Sequence, residues 1–253
     1  MQENTDNIKN ENIKPTRTIK ARLENYWYHY KWHSIIAIFL IITITVCSIQ
    51  MCNKDEYDCY VMYAGDTSIA HTGGGVSEYA NALSSLNSVS SDFDGNGRVL
   101  VSFSDLYVWT NDQMSQYEKD NKNNTDAPEL HYTLISQDKS TFSDRMTHSE
   151  YYLCFLSIEI FNEYKAKDGL NFFVSLTPYL TEGNSYEMVG DGEGILLGSV
   201  EGFAGKPGIS SLPYDTVICL RAKNEVFSGF DKKAHAKYYS YAEETLKNIL
   251  SFE

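Results

Sequence analysis

One uninterrupted apolar stretch, residues 34–52, places the strongest constraint on this chain. No charged side chain lies between Lys31 and Lys54. An α-helix rises about 1.5 Å per residue, so roughly 20 helical residues cross a ~30 Å hydrocarbon core. Thr43 and Thr45 are polar, but a threonine hydroxyl can bond to the carbonyl one turn earlier. We therefore predict a transmembrane helix at residues 34–53.

Two other interpretations of this stretch are less favoured. A buried helix of a soluble protein would usually keep a polar face, and this stretch is hydrophobic all round. A cleaved signal peptide would have a short leading region and a small-residue cleavage site. Here more than thirty residues precede the stretch, and no such site follows it. An uncleaved anchor fits the pattern better than either alternative.

The flanks of the stretch predict its orientation and its contact with lipid. Basic residues precede it and acidic residues follow it, so the positive-inside rule places residues 1–33 in the cytoplasm and residues 54–253 outside. We predict a single-pass protein of the cell membrane, with the bilayer as its first partner. Aromatic and basic side chains that prefer the headgroup layer form a collar before the span. These predicted interface residues are Tyr26, Trp27, Tyr28, Tyr30, Lys31 and Trp32.

The collar also carries a resemblance to a known group of proteins. Residues 25–33, NYWYHYKWH, resemble the juxtamembrane signature of small, uncharacterised single-pass membrane proteins of Gram-positive gut bacteria. The similarity continues in residues 57–65 (YDCYVMYAG), 92–101 (DFDGNGRVLV) and 216–221 (TVICLR). The resemblance implies an extracytoplasmic α/β domain, and it carries no activity with it.

The charge balance of the outer part excludes one class of partner. The chain has 21 Lys and Arg and 34 Asp and Glu, of which 6 and 4 fall in the first 33 residues, leaving 15 basic against 30 acidic residues. A net charge of about −15 repels nucleic acid and anionic lipid headgroups. We therefore predict no nucleic-acid partner.

Periodicity predicts an α/β fold for residues 54–253, with one domain that could resemble a lobe of a periplasmic-type solute-binding protein. A strand, a glycine-rich turn and a helix with Val76, Tyr79, Leu83 and Leu86 on one face begin a βαβ unit. The predicted strands are residues 57–63, 98–104, 130–135, 151–156, 171–180, 194–197 and 216–221. The predicted helices are residues 76–86, 136–148, 158–169 and 232–250, and residues 109–126 are predicted to be an exposed insertion.

The cysteines do not form a disulfide pattern. Cys59, Cys154 and Cys219 each lie in an apolar, strand-like run, and the chain has no C-x-x-C pair. Buried free thiols are the favoured interpretation, and one pairing among the three is the alternative. The absence of C-x-x-C argues against a thiol-redox or zinc-ribbon role.

A calcium loop is one candidate site. Asp92, Asp94, Asn96 and Gly97 match the first half of the D-x-[DN]-x-[DN]-G pattern, in which oxygen ligands two residues apart converge on one ion. The predicted metal residues are Asp92, Asp94, Asn96 and Arg98. Phe103 stands where a bidentate Glu is usual, so Ser102 or Asp105 would have to substitute. The alternative is a turn rich in Asp, Gly and Asn for backbone reasons.

The second candidate site follows the first predicted strand. Ligands of open α/β sheets bind at such strand-to-helix turns, where side chains and backbone N–H groups gather. The predicted ligand residues are Asp66, Thr67, Ser68, His71, Thr72, Gly73 and Gly74. The turn lacks the P-loop lysine and the G-x-G-x-x-G spacing, which argues against a nucleotide. An exposed surface loop is the alternative.

These features predict a non-catalytic, membrane-anchored domain that binds a small solute, sugar or peptide. The alternative is a structural or interaction subunit that contacts cell-envelope or transporter proteins. A hydrolase that uses His71 ranks third, because the chain has no G-x-S-x-G or H-E-x-x-H motif.

The topology can be tested in cells that express the chain with a C-terminal tag. We expect protease added to intact cells to remove the tag, because residues 54–253 are predicted to lie outside the cytoplasm. Immunoblotting of the tag reports the result, and a cytoplasmic marker protein serves as the control for lysis. Full protection of the tag in intact cells would overturn the predicted orientation.

Overall fold

A computed structural model describes residues 19–52, 56–72, 75–125, 127, 130–166, 171–180, 185–223 and 232–252. The chain divides into two compact units, with the boundary between Asp55 and Glu56. The first contains a single described helix, and the second contains the sheet and all other described helices.

The first helix, α1 (Ile19–Cys52), joins the aromatic collar and the apolar stretch without a break. Its 34 residues give a length of about 51 Å, which exceeds the ~30 Å hydrocarbon core. The excess leaves room for the collar residues outside the hydrocarbon core. The hydroxyls of Thr43 and Thr45 donate to the carbonyls of Phe39 (2.9 Å) and Ile41 (2.7 Å), as predicted. The helix is long and apolar enough to cross a membrane.

The second unit is built on one six-stranded mixed sheet, which confirms the α/β class. Its strands are β1 (Cys59–Gly65), β2 (Val101–Tyr107), β3 (Leu153–Leu156), β4 (Met188–Val189), β5 (Gly194–Leu196) and β6 (Val217–Leu220). Their order is β2-β1-β3-β6-β5-β4. β1 pairs in parallel with β2 and β3, whereas β6, β5 and β4 continue the sheet in antiparallel pairs.

Helices cover both faces of this sheet. The described helices of the second unit are α2 (Ile69–Thr72), α3 (Gly75–Val89), α4 (Asn111–Asp120), α5 (Tyr132–His148), α6 (Ile158–Lys165), α7 (Glu201–Ala204) and α8 (Lys232–Leu250), and all but α4 bury side chains in the core. Successive strand residues point to opposite faces, so Val61 and Tyr63 share a core with α3, α7 and α8. Met62 and Ala64 pack instead with α5 and α6. The central strands are therefore buried on both sides, as their continuous apolar runs require.

Several predicted elements are confirmed, with shifted ends. α8 covers the predicted residues 232–250 and buries Tyr239, Ala242, Leu246, Ile249 and Leu250 on one face. α6 begins after Ser157, whose hydroxyl accepts from the N–H of Ile160 as a cap, and it ends at Lys165 rather than at residue 169. Cys59, Cys154 and Cys219 are free and buried. Val76 is wrong as a core residue, because it is 85% exposed in the first turn of α3.

Two predicted strands are wrong. Residues 130–135 lead into α5, because Ile135, Phe142 and Met146 recur at helical spacing and are buried on one side of that helix. Residues 171–180 make only an isolated bridge between Phe173 and Arg221, followed by a 3-10 turn at Thr177–Tyr179. Pro178, which has no N–H to donate to a strand partner, lies within that turn.

The predicted insertion at residues 109–126 contains a helix, α4. A capping box starts it, in which the Thr110 hydroxyl accepts from the N–H of Gln113 and the Gln113 side chain accepts from the N–H of Thr110. None of its residues is buried, so hydrophobic periodicity did not predict this helix.

The outer edge of β2 is closed by side chains of neighbouring helices. β2 pairs only with β1, so one of its edges would otherwise present open backbone groups. The closing bonds join Asn87 Oδ1 to Val101 N (2.9 Å), Tyr79 Oη to Phe103 O (2.6 Å) and Asp138 Oδ2 to Tyr107 N (2.8 Å). α3 and α5 thus protect this edge from pairing with another strand.

Arg221, directly after β6, is a buried cation that is 3% exposed. Its guanidinium donates to the carbonyls of Met146 (3.1 Å), Ser149 and Tyr151 (3.2 Å), at and beyond the end of α5. It also lies 4.4 Å from the ring centre of Tyr152. The carbonyls at the end of a helix carry partial negative charge, so the cation and the helix end stabilise each other.

Replacing Arg221 should therefore destabilise the second unit strongly. We expect Arg221→Ala to lower the free energy of unfolding by about 3 kcal/mol, because buried carbonyls lose their donors and a cavity remains. Chemical denaturation of the detergent-solubilised chain, followed by near-UV circular dichroism, measures this loss. Lys119→Ala, which removes an exposed cation on α4, is the control and should change stability by less than about 0.5 kcal/mol. Equal stability of the two variants would contradict this role of Arg221.

Candidate functional site

The carboxyl ends of β1, β2 and β3 meet at one edge of the sheet, because these strands run in parallel. After β1 the chain passes to α3 on one face, and after β3 it passes to α6 on the other face. Adjacent strands whose connections leave in opposite directions define a topological switch point, where open α/β sheets commonly bind ligands. The boundary between β1 and β3 is such a point.

Asp66 and Thr67 lie at this switch point. The Thr67 hydroxyl is 2.6 Å from the hydroxyl of Tyr63, and a Cβ on Gly65 would lie 2.2 Å from that same tyrosine oxygen. Any larger residue at position 65 would therefore clash with the side chain of Tyr63. Burial raises the pKa of the Asp66 carboxyl, and the negative charges of Glu159 and Asp215 raise it further. Three carboxyls from separate segments thus influence one another at this edge.

Ser68 is almost completely buried and fixes the short helix α2. Its hydroxyl donates to Asp105 Oδ2 (2.8 Å) and accepts from the backbone N–H of His71 (3.2 Å). The N–H of Ala70 also donates to Asp105 Oδ2 (2.7 Å). Ser68 is 1% exposed, so any contribution it makes to ligand binding is indirect.

His71 lines an open cavity of about 690 Å³ between α2, the end of β2 and the start of α5. The lining residues are uncharged polar, aromatic or aliphatic, apart from the titratable imidazoles of two histidines. They are His71, Tyr107, Leu130, His131, Tyr132, Thr133, Leu134 and Gln137. The described residues of the lining therefore present hydrogen-bonding groups and apolar surface, and none of them carries a carboxylate, ammonium or guanidinium group.

A shallower groove of about 580 Å³ continues from this cavity along α5. Tyr132, Thr133 and Gln137 line both, and Ser136 and Ser140 extend the groove over the next turns of the helix. The added residues again carry hydroxyl groups. The described residues of the combined surface are therefore polar or apolar and, apart from the two histidines, carry no titratable carboxyl or basic group.

Neighbouring elements hold the start of α5 in place. The hydroxyl of Tyr132 donates to Glu118 of α4 (2.8 Å), and Asp138 accepts from the backbone N–H of Tyr107 (2.8 Å). His131 stands at the N-cap without a side-chain capping bond. The N–H of Tyr132, the first residue of α5, donates to the carbonyl of Leu130 (2.9 Å).

The structure separates the residues predicted as one ligand site. Asp66 and Thr67 lie at the switch point, Ser68 is buried beneath α2, and His71 lines the cavity. The side chain of Thr72 and residues 73–74 lie outside the described part of the chain. Tyr107, His131 and Gln137 were missed by sequence reasoning. The interpretation of residues 130–135 as a strand hid the place of His131 at a helix start. The helical spacing of Ile135, Phe142 and Met146 could have placed His131 at a helix start.

The predicted calcium loop forms a tight turn held by its own side chains. Asp92 accepts from the N–H groups of Gly95 (2.7 Å) and Gly97 (2.8 Å), and the bond from Gly97 is the main cause that lowers the pKa of Asp92. Asp94 accepts from the N–H of Asn96 (2.9 Å), and Asn96 accepts from that of Arg98 (2.8 Å). Gly95 and Gly97 have φ of 74° and 80°, which favours glycine. This bonding also fits the backbone-driven turn considered as the alternative.

Asp58, just before β1, is the third carboxylate of this loop. One oxygen each from Asp58, Asp92 and Asp94 lie within 4.8 Å of one another. Asp58 is 1% exposed and accepts from the N–H groups of Phe93 and Leu100 (both 2.8 Å). Asp58 lies 34 residues before Asp92 in the chain, so the calcium-loop pattern could not include it.

The two residues considered as substitutes for the missing calcium ligand bond elsewhere. The hydroxyl of Ser102 bonds to that of Tyr151 (3.0 Å). Asp105 accepts from Ser68 and Ala70 at the other end of β2. The carboxylate that lies with Asp92 and Asp94 is that of Asp58.

No known protein family, no curated protein and no solved structure matches the chain.

Calcium binding by the loop stays a prediction that thermal melting can test. We expect about 1 mM Ca²⁺ to raise the unfolding midpoint by a few degrees, because an ion that binds only the folded state stabilises it. Differential scanning fluorimetry of the solubilised chain measures the shift, and Asp92→Asn should remove it. Asp144→Asn, an exposed carboxylate on α5, is the matched control and should keep it. The same midpoint with calcium and with a chelator would eliminate the calcium site.

Proposed function

We propose that residues 56–253 form a non-catalytic domain, held at a membrane by α1, that binds a small uncharged solute rich in hydroxyl groups, such as a sugar. The cavity of about 690 Å³ beside His71 carries this proposal, because its described lining residues offer phenol, imidazole, amide and hydroxyl groups and, among themselves, no carboxylate, ammonium or guanidinium. The proposal narrows the predicted class of small solutes, sugars and peptides.

The chemistry of the lining favours hydroxyl groups over ions. A charged ligand loses hydration on binding and needs a compensating charge, and no lysine, arginine, aspartate or glutamate is among the lining residues that the structure describes. A sugar hydroxyl both donates and accepts hydrogen bonds, so it can pair with Gln137, Thr133 and the imidazoles. The rings of Tyr107 and Tyr132 supply apolar surface for the C–H faces of a sugar ring.

The dimensions also support a sugar-sized ligand. A volume of about 690 Å³ falls within the range of small-molecule sites in proteins. The groove along α5 adds a second polar compartment of about 580 Å³. A disaccharide or longer chain could extend from the cavity past Ser136 to Ser140.

The architecture supports the proposal in a weaker way. Three parallel strands with helices on both faces, and a cavity at their carboxyl edge, are features expected of one lobe of a periplasmic-type solute-binding protein. The N-terminus is proposed to be cytoplasmic and the domain extracytoplasmic, as the charges around the span predict. The resemblance to single-pass membrane proteins of Gram-positive bacteria agrees with this placement.

The alternative of an interaction subunit for envelope or transporter proteins has less support. Such a surface usually shows a contiguous apolar patch. Within the described part of Glu56–Glu253, the exposed large apolar side chains come from separate segments: Tyr57, Val76, Tyr132, Tyr214 and Phe252. Single exposed apolar side chains are ordinary on protein surfaces.

Ligand binding can be tested by titration calorimetry on the detergent-solubilised full chain with a panel of solutes. The panel contains uncharged mono- and disaccharides, a uronic acid and an amino sugar, so that charge varies on a similar framework. We expect an uncharged sugar to bind, and Gln137→Ala to weaken it about tenfold through the loss of a hydrogen bond.

The matched control is Gln116→Ala, which removes an exposed glutamine of α4 outside the cavity lining. It should leave the affinity unchanged. Binding of charged solutes alone, or an equal affinity of Gln137→Ala and the wild-type chain, would overturn the proposal.

A further inference from the structure

We infer that His71 is a hydrogen-bond acceptor for a ligand hydroxyl, because Asp105 and Ser68 hold its ring in the tautomer that carries hydrogen on Nδ1. Nε2 then offers its lone pair to the cavity. This inference rests on the proposed function and adds which atom recognises the ligand and which buried residues position it.

The direction of the first hydrogen bond follows from Asp105. A carboxylate can only accept, so the 2.8 Å contact between Ser68 Oγ and Asp105 Oδ2 uses the single proton of the serine hydroxyl. The N–H of Ala70 donates to the same carboxylate oxygen at 2.7 Å. Asp105 therefore fixes both the start of α2 and the orientation of the Ser68 hydroxyl.

The direction of the second hydrogen bond follows from the first. The single hydroxyl hydrogen of Ser68 is used in the hydrogen bond to Asp105. Ser68 Oγ can therefore only accept at its 2.9 Å contact with His71 Nδ1. The opposite tautomer would place two lone pairs against each other at that distance. Nδ1 therefore carries the hydrogen, and the order of donation runs from His71 through Ser68 to Asp105.

The other ring nitrogen is the one left for a ligand. His71 lines the cavity and is exposed, and among the described residues its ring makes one hydrogen bond, the bond to Ser68. In a neutral ring with hydrogen on Nδ1, Nε2 has no hydrogen and can only accept. A ligand that meets it must donate, as a hydroxyl does.

The chain of bonds also strengthens this acceptor. Asp105 Oδ1 is buried and has no hydrogen-bond partner within the described residues, so the charge of the carboxylate acts mainly through Oδ2. A negative group at one end of a hydrogen-bonded chain polarises the bonds along it. Nε2 of His71 should therefore be a stronger acceptor than a free imidazole nitrogen, while Ser68 and Asp105 act as positioning residues.

The consequence is a specific requirement on the ligand. A sugar in which the hydroxyl facing His71 is replaced by hydrogen or an O-methyl group loses the donor and leaves Nε2 unpaired. Sites built to bond a hydroxyl discriminate strongly against analogues that lack it. We expect one deoxy or O-methyl analogue of the bound sugar to lose at least about tenfold in affinity.

The tautomer can be measured without any ligand. Long-range ¹H–¹⁵N correlation spectra of the full chain in detergent, labelled with ¹⁵N-histidine, distinguish protonated from unprotonated ring nitrogens at a pH where the ring is neutral. The signal of His71 is assigned by its loss in His71→Ala. We expect Nδ1 to be protonated and Nε2 to be unprotonated, and the reverse pattern in the wild-type chain would overturn the inference.

A pair of serine variants tests the positioning role. Ser68→Ala should shift His71 toward the tautomer with hydrogen on Nε2 and weaken sugar binding about tenfold. Ser85→Ala removes another buried serine, whose hydroxyl bonds to the Pro207 carbonyl, and should change neither property. An unchanged tautomer in Ser68→Ala would overturn the role of Ser68, and an unchanged amide spectrum elsewhere shows that the variant is folded.

The outcomes separate this inference from the proposed function. If His71 has the expected tautomer but no uncharged sugar binds, then sugar binding is overturned and the positioning of the ring stands. If a sugar binds with hydrogen on Nε2 of His71, the proposed function stands and the inference is overturned.

Discussion

The buried guanidinium of Arg221 fixes the position of α5, and the candidate site depends on that helix. It joins the antiparallel half of the sheet to the end of α5 through three backbone carbonyls. The opposite end of α5 supplies His131, Thr133 and Gln137 to the cavity. Because a helix is stiff over 17 residues, a bond at one end restricts the direction of the other. The cavity therefore depends on a cation that lies outside its lining.

The fold could be predicted where hydrophobic periodicity and burial agree. The face of α8 follows from its apolar spacing, and the Ser157 cap follows from a serine that precedes an apolar turn. α4 could not be found in this way, because it is largely polar and none of its residues is buried. The start of α5 was missed because residues 130–135 were interpreted as a strand. For α4, the capping pattern of Thr110 and Gln113 was the available signal. The prediction that Val76 is buried failed, because an apolar residue at helical spacing can still lie in an exposed first turn of a helix.

The site was less predictable, because its groups come from separate elements. His71 was identified from its place after β1, but Tyr107 and Gln137 join it only when β2 and α5 pack beside that turn. Asp105 was considered only as a calcium ligand, and its bonds to Ser68 and Ala70 depend on where α2 crosses β2. In the same way, Asp58 lies beside Asp92 and Asp94 only in the folded chain, so the sequence pattern of the loop did not include it. Local patterns locate single ligating residues, whereas the partners of those residues depend on tertiary packing.

The closed edge of β2 has a consequence for the proposed anchoring of the protein by α1. Molecules confined to a surface meet far more often than molecules dispersed in three dimensions, and they meet with similar orientations. An open strand edge under those conditions would favour sheet extension from one copy to the next. Asn87, Tyr79 and Asp138 occupy three backbone groups of that edge, so a β strand of a neighbouring copy would first have to displace them. High surface density is therefore compatible with molecules that stay separate.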